Sequence, residues 1–154
     1  LKLTDRDYNE HHLQDLLDTY PHLHLDTSAT KWMTRELSKH PEALAEFLRR
    51  NQGRVLFGSD IVANDENNDF DLYASRYWAL RTLLETDYLG PSPIVDPDLP
   101  MVDPSLPEQS TATLRGAQLD HQTLRMLYHQ AATDLLAAWE QGKPTRAATP
   151  NEPG

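Results

Sequence analysis

The stretch Arg54-Val55-Leu56-Phe57-Gly58-Ser59-Asp60 is a short apolar run that opens directly into a polar turn. Its continuous apolar residues after Arg54 are typical of a parallel strand that is buried on both faces. A second short strand is predicted at His22–Leu25, where polar and apolar residues alternate between Pro21 and the polar residues 26–28. About 30 residues separate the two strands, which is enough for a helical crossover and favours an α/β fold with a parallel sheet.

Four helices are predicted around these strands from apolar residues at helical spacing. They cover Asp5–Tyr20 with Thr4 as its cap, Pro41–Asn51, Phe70–Thr86 and His121–Gln141. The helix at Phe70–Thr86 presents Tyr73, Tyr77, Leu80 and Leu84 on one face, and the last helix repeats Leu124, Leu127, Tyr128, Ala131, Leu135 and Trp139. Six of the 11 prolines fall in residues 87–113, so this segment is predicted to be irregular, with neither a helix nor a central strand. Residues 1–141 are expected to belong to one domain, and residues 142–154 to form a disordered tail.

The composition excludes several classes of function. The 154 residues carry 24 acidic and 14 basic side chains, which gives a formal net charge of −10 at pH 7. Binding to nucleic acid and adsorption to anionic membranes both draw on clustered Lys and Arg, so we expect neither. No window approaches the roughly 20 apolar residues of a membrane span, and no signal peptide is recognisable at Leu1. These features predict a soluble, cytoplasmic protein.

Two acidic residues follow the predicted strands, at the end of a parallel sheet where ligands bind. The Asp60 carboxylate can ligate a cation or take a proton from metal-bound water, or it can simply cap the following turn. Asp26 is the matching residue after the first strand, and it either supports a substrate site or caps its own loop. Gly58 is expected to allow a sharp turn and a close approach of another group. Because the chain has no cysteine, any metal site must be built from His and carboxylates.

The histidines and one arginine are further candidates. His22 and His24 share a strand face, so they can act as paired ligands or pack against a helix. Arg76, next to Tyr77, can bind an anionic substrate or a neighbouring subunit, or pair with a surface carboxylate. His129 is predicted to be buried with its ring hydrogen-bonded. Four other histidines are predicted to be solvated: His11, His12, His40 and His121.

Residues 54–60 resemble the eighth strand of the amidohydrolase-related family, whose members are metal-dependent TIM-barrel hydrolases and decarboxylases. Residues 20–29 resemble the seventh strand of that family, and residues 114–129 are similar to its closing helix. The resemblance implies that Asp60 is the family's metal-associated aspartate, which holds the ion and helps to activate water or substrate. It also implies zinc as the metal, a small-molecule substrate and a possible homodimer. The chain departs from the family at Asp120, where proline is common, and at Ala131, where asparagine is common.

A complete (β/α)8 barrel needs about 250 residues, whereas only two strands are predicted here. Catalytic zinc usually takes about three protein ligands, and Asp60 supplies one of them. The resemblance places the remaining histidine ligands before Leu1. We therefore expect the carboxyl-terminal part of a TIM barrel, about two of its eight strands, from a hydrolase or decarboxylase. The alternative is a non-catalytic half-barrel that binds a partner through the faces left open by the missing strands.

Overall fold

The protein is represented by a computed structural model, which describes residues 10–61, 69–107 and 109–142. This part of the chain forms a mixed α/β fold with two small sheets. The helices are α1 (Glu10–Thr19), α2 (Thr30–Leu37), α3 (Pro41–Arg50), α4 (Phe70–Glu85), α5 (Leu99–Val102), α6 (His121–Arg125) and α7 (Ala131–Glu140). The strands are β1 (Leu25–Asp26), β2 (Val55–Leu56), β3 (Leu89–Val95) and β4 (Thr111–Arg115), and a π-helical turn, Met126–Gln130, joins α6 to α7.

β1 and β2 pair in parallel, which confirms the predicted α/β arrangement. Leu25 lies opposite Val55, and Asp26 lies opposite Leu56. Both strands are shorter than predicted, and β1 begins at Leu25 instead of His22. Because the strands run in the same direction, the loops that follow them leave the sheet at the same edge.

Two helices connect the parallel strands, whereas the sequence predicted one. α3 confirms the predicted helix to within one residue, with Pro41 in its first turn and Leu44 and Phe47 buried. α2 was not predicted, because threonines occupy part of its buried face. Thr30 and Thr34 are 0 % and 1 % exposed, and each hydroxyl donates to a backbone carbonyl. A buried threonine that is satisfied in this way carries no apolar signal in the sequence.

α1 confirms the first predicted helix for the described residues, and Leu13 and Leu17 lie on its buried face. The predicted part before residue 10 lies outside the described residues. Arg54 holds the turn after α1, since its Nε donates to Leu23 O at 2.8 Å and its Nη2 to Tyr20 O at 2.8 Å. A guanidinium at the carboxyl end of a helix also interacts favourably with the helix dipole. Arg54, which directly precedes β2, therefore fixes the turn that leads from α1 into β1.

α4 ends one residue before the predicted boundary, and its predicted face is confirmed at Leu80 and Leu84 but not at Tyr77. Ala79, Leu80, Leu83 and Leu84 are fully buried, whereas Tyr77 is 47 % exposed. The segment after β4 caps this helix, because Ala117 N–H donates to Leu83 O at 2.7 Å and Leu119 N–H to Leu84 O at 2.8 Å. These bonds satisfy carbonyls that the end of a helix leaves without partners.

The proline-rich segment 87–113 was predicted to be irregular, and for its described residues this prediction is wrong. It contains α5, and β3 pairs with β4 in an antiparallel hairpin whose register is irregular between Pro91 and Val95. Within the described residues β3 has β4 as its single neighbour. A strand with one free edge tolerates residues that lack an N–H donor, so prolines that exclude a central strand do not exclude this one.

The last helix begins at His121 as predicted and runs through the π-helical turn to Glu140. Leu127 and Ala131 are buried as the predicted stripe requires, but Trp139 is 66 % exposed. His129 is exposed, so the prediction of a buried histidine is wrong. The predicted tail, residues 142–154, lies outside the described residues except for Gly142.

The hydrophobic core surrounds the parallel sheet. Leu25 and Val55 pack in one cluster with leucines of α1, α3 and α4 and with Leu127 of the π-helical turn. Within the described residues the parallel sheet has two strands and does not close into a barrel, so the TIM-barrel fold stays a prediction. No helix in the described part of the chain is both long and apolar enough to cross a membrane.

Candidate functional site

The candidate site lies at the carboxyl edge of the parallel sheet, where two loops meet. The first, residues 26–30, leads from β1 into α2, and the second, residues 58–60, follows Phe57 at the end of β2. We call residues 58–60 the Gly58–Asp60 loop. Both aspartates singled out from the sequence, Asp26 and Asp60, belong to this edge and are exposed to solvent.

Thr27 joins the two loops with its side chain. The backbone pairing of the sheet reaches Thr27 N–H, which donates to Leu56 O at 3.1 Å. In a regular parallel ladder the next bond would join Gly58 N–H to the carbonyl oxygen of Thr27. Gly58 N–H donates to Thr27 Oγ1 instead, at 2.8 Å, and the same hydroxyl donates to Gly58 O at 2.8 Å. The threonine hydroxyl thus extends the pairing by one residue beyond the strands.

Thr30 makes the next connection. Its Oγ1 donates to Ser59 O at 2.6 Å, and its side chain is fully buried. Thr27 is likewise buried, with 1 % of its surface exposed. The sequence placed Thr27 in a polar loop but gave no reason to assign a role to either hydroxyl, because their partners are backbone atoms about 30 residues away in the chain.

Gly58 allows the close approach that was predicted for it. A Cβ atom at this position would lie nearer than 3.0 Å to Ser28 Oγ and 3.3 Å from the backbone nitrogen of Ser28. The predicted sharp turn occurs at a different residue, since Asp60 and not Gly58 has a positive φ, at 54°. Left-handed backbone is uncommon outside glycine, but aspartate and asparagine adopt it more readily than other residues.

Asp26 caps its own loop. Its Oδ1 accepts the Ser28 N–H at 2.7 Å, which is the hydrogen bond that an Asx turn requires. Of the two interpretations of Asp26, this hydrogen bond matches the one in which its side chain caps its own loop. Asp60 is different from Asp26. Its own backbone is left-handed, and its carboxylate is exposed. Thr27 and Thr30 hold the two residues before it by hydrogen bonds to their backbone.

The π-helical turn borders the same end of β2. Ala131 N–H would donate to Leu127 O in an α-helix, but here it donates to Met126 O. Leu127 O instead accepts Phe57 N–H at 3.1 Å. Successive residues of a strand direct their N–H groups to opposite sides, so Phe57 N–H faces away from β1, on the outer edge of β2. The sequence gave no signal for this turn, although such turns are frequent at functional sites.

Tyr128 covers Phe57 from the π-helical turn. The two rings meet edge to face, with their centroids 4.9 Å apart. Tyr128 Oη donates to Glu85 Oε1 at 3.0 Å, and Arg81 forms a two-point ion pair with Glu85 at 2.8 and 2.9 Å. Burial and the Glu85 hydrogen bond raise the pKa of Tyr128, while the hydrogen bond from Arg81 lowers the pKa of Glu85.

The histidine and arginine candidates lie apart from this arrangement of hydrogen bonds. His24 Nδ1 is 3.2 Å from His22 O, and burial lowers the pKa of the His24 ring. His12, His40 and His121 are exposed as predicted, and the side chain of His11 lies outside the described residues. Arg76 is half-buried, and its Nε has no hydrogen-bond partner among the described residues.

The described residues fit a metal site only in part. Among them, no group of three or more His, Asp or Glu side chains lies together in a way that could hold an ion. Asp60 is exposed and ends a loop at the ligand-binding edge, so its carboxylate can supply one ligand. A catalytic zinc ion needs about two more from outside the described part of the chain.

Comparison with known proteins identifies no relative. No protein-family model, no curated protein and no solved structure matches this chain.

Proposed function

We propose that this chain is the carboxyl-terminal part of an amidohydrolase-like TIM-barrel enzyme, a metal-dependent hydrolase or decarboxylase of a small molecule. Asp60 is the residue to which we assign a catalytic role, as a ligand of a divalent metal, zinc by preference, and as a proton acceptor. The observation that carries the proposal is the position of Asp60 after β2, on an exposed loop at the carboxyl edge of a parallel strand pair. Parallel α/β proteins bind ligands at this edge.

The chemistry of Asp60 follows from its surroundings. Its carboxylate is exposed to solvent, so it is accessible to a cation. The left-handed backbone of Asp60 is a conformation that costs free energy and is found more often at functional sites than elsewhere. A bound divalent ion would supply an acidified water molecule, and Asp60 would accept its proton.

The test uses the native gene product, isolated from its source cells with an antibody against residues 120–141. Zinc content is measured by mass spectrometry of the purified protein and compared between wild type and Asp60→Asn. The matched control is Asp87→Asn, because Asp87 is also exposed but lies between α4 and β3. We expect Asp60→Asn to lose most of its zinc and the control to retain it. Equal zinc in both variants, or no zinc in the wild type, would refute the metal-ligand role.

A second candidate function is a non-catalytic module that binds a partner protein, and two observations favour it. Phe57, the residue directly after β2, donates its outward N–H to Leu127 O, whereas a strand in a barrel pairs with another strand on each side. Leu136 and Trp139 on α7 are also 60 % and 66 % exposed. Size-exclusion chromatography of the 154-residue chain separates the two proposals. A discrete folded species favours the module, and aggregation favours a piece of a larger barrel.

A further inference from the structure

The two outer edges of the β3–β4 hairpin differ in what they offer to another strand. In an antiparallel pair, residues alternate between those whose N–H and C=O groups face the neighbouring strand and those whose groups face outward. Gly116 N–H donates to Tyr88 O at 2.8 Å, which fixes this alternation along the hairpin. Together with the register, the bond places Leu89, Pro91 and Val95 among the outward residues of β3.

The outer edge of β3 is poorly suited to pairing. Pro91 has no N–H to donate, and its outward carbonyl already accepts a hydrogen bond from Tyr88 Oη at 3.2 Å. Pro93 lies in the irregular part of the strand, between Pro91 and Val95. Prolines and bulges are two of the devices by which proteins prevent an edge strand from pairing with another chain. The β3 edge is therefore protected.

The outer edge of β4 is open. Its outward residues are Thr111, Thr113 and Arg115, and the strand contains no proline. Among the described residues, the outward N–H and C=O groups of these three residues have no hydrogen-bond partner. Their side chains are exposed, whereas Ala112 and Leu114 are buried. The strand thus presents a row of main-chain donors and acceptors, which is a template for a further strand.

We propose that a second copy of this chain pairs with this edge, so that two antiparallel β4 strands join two hairpins into one four-stranded sheet. A two-fold axis at Thr113 would place this residue opposite its counterpart, and Thr111 opposite Arg115 of the other copy. In this register the outward groups of one strand meet those of the other, and each of the facing pairs exchanges two hydrogen bonds. The same surface serves both copies, as a two-fold dimer requires.

The side chains of β4 suit this self-pairing. At the axis, threonine would lie beside threonine, which is a favourable cross-strand pair. Arg115 would lie beside a threonine, and its charge is matched within its own copy by Glu42, whose Oε1 is 2.6 Å from Arg115 Nη2. On the opposite face Ala112 would lie opposite Leu114, so the apolar faces of the two hairpins would be continuous. This self-complementarity favours a second copy over an unrelated strand.

Sedimentation velocity of the purified native gene product over a range of concentrations tests the proposal, and we expect a reversible dimer. Thr113→Pro removes an outward N–H and leaves the pairing with β3 intact, so a symmetric dimer loses two hydrogen bonds. We expect its dissociation constant to rise by about 10-fold or more. The matched control is Leu89→Pro, which removes an outward N–H from the β3 edge and should dimerise as wild type. A monomeric wild type, or a Thr113→Pro variant that dimerises as tightly as wild type, would overturn the inference.

Single cysteines test the register, and they provide the result if Thr113→Pro does not fold. The 154 residues contain no cysteine. The Cα atoms of a hydrogen-bonded antiparallel pair are about 5.5 Å apart, a distance that a disulfide can bridge. We therefore expect Thr113→Cys to form a disulfide-linked dimer in a glutathione redox buffer. Thr111→Cys should stay unlinked, because its counterpart would lie about 14 Å away along the strand. Linkage of both variants to the same extent, or of neither, would contradict the proposed axis.

Discussion

Replacing Gly58 with alanine is expected to destabilise the protein through one contact. The φ of Gly58 is not in the positive range, so alanine suffers no backbone strain there. The added Cβ would lie nearer than 3.0 Å to Ser28 Oγ, and 3.3 Å from both Cβ and N of Ser28. Forcing a methyl group into a packed site costs about 1–3 kcal/mol, and we expect about 2 kcal/mol because the hydroxyl can rotate but the backbone nitrogen cannot.

Thermal unfolding followed by circular dichroism measures this cost. For a chain of 154 residues, 2 kcal/mol corresponds to a fall in Tm of about 4–8 °C. Ser28→Ala removes the oxygen in closest contact, so the double variant should recover about 1 kcal/mol relative to the sum of the single variants. Strictly additive effects of Gly58→Ala and Ser28→Ala, or an unchanged Tm in Gly58→Ala, would refute the close approach of the two loops.

Two further predictions concern interactions outside the loops. Tyr128→Phe removes the hydrogen bond to Glu85 and should cost about 1 kcal/mol in urea unfolding at pH 8. The pKa of Tyr128 is raised in the folded state. Its contribution to the free energy of unfolding is therefore complete below the unfolded pKa of about 10 and is lost as the pH rises above that value. The difference in stability between Tyr128→Phe and wild type should accordingly shrink in urea titrations at alkaline pH. Arg35→Met leaves the Asp96 carboxylate, only 1 % exposed, without the partner that lies 2.7 Å away. We expect a loss of about 3 kcal/mol in urea unfolding, and a loss below about 1 kcal/mol would mean that Lys31, 3.8 Å from Asp96, suffices.

The parallel sheet and the position of its loops could be predicted because burial leaves a direct signal in the sequence. Val55 and Leu56 belong to a continuous apolar run, and Leu25 precedes a polar cluster, so strand type and loop position follow from local pattern. α2 could not be predicted in this way. Its Trp32 donates to Asp98 and its Arg35 to Asp96, more than 60 residues away, and those partners stabilise a segment that looks polar by itself.

The last helix shows a different limit of sequence reasoning. A stripe at 3.6-residue spacing correctly places Leu127 and Ala131 in the core. Beyond the π-helical turn the predicted stripe is only partly covered, because Ala131 is buried and Leu135 is half-buried. Trp139 belongs to the same stripe, near the end of α7, and is 66 % exposed. Within the turn, Leu127 O accepts a hydrogen bond from Phe57 N–H, a contact that no local pattern in residues 121–141 records.

The bond between Phe57 N–H and Leu127 O also bears on which of the two proposed functions is correct. A strand in a closed barrel has neighbours on both sides, so its outward N–H groups donate to another strand. In this structure the outward N–H of Phe57 donates to a helical carbonyl that the π-helical turn leaves available. To complete a barrel, a further strand would have to accept the Phe57 N–H in place of Leu127 O. Leu127 O would then lose its hydrogen bond from Phe57. A partner-binding module requires no such change, because the Phe57 N–H already has a hydrogen-bond partner. A barrel enzyme would therefore have to break the hydrogen bond between Phe57 N–H and Leu127 O, whereas a partner-binding module would keep it.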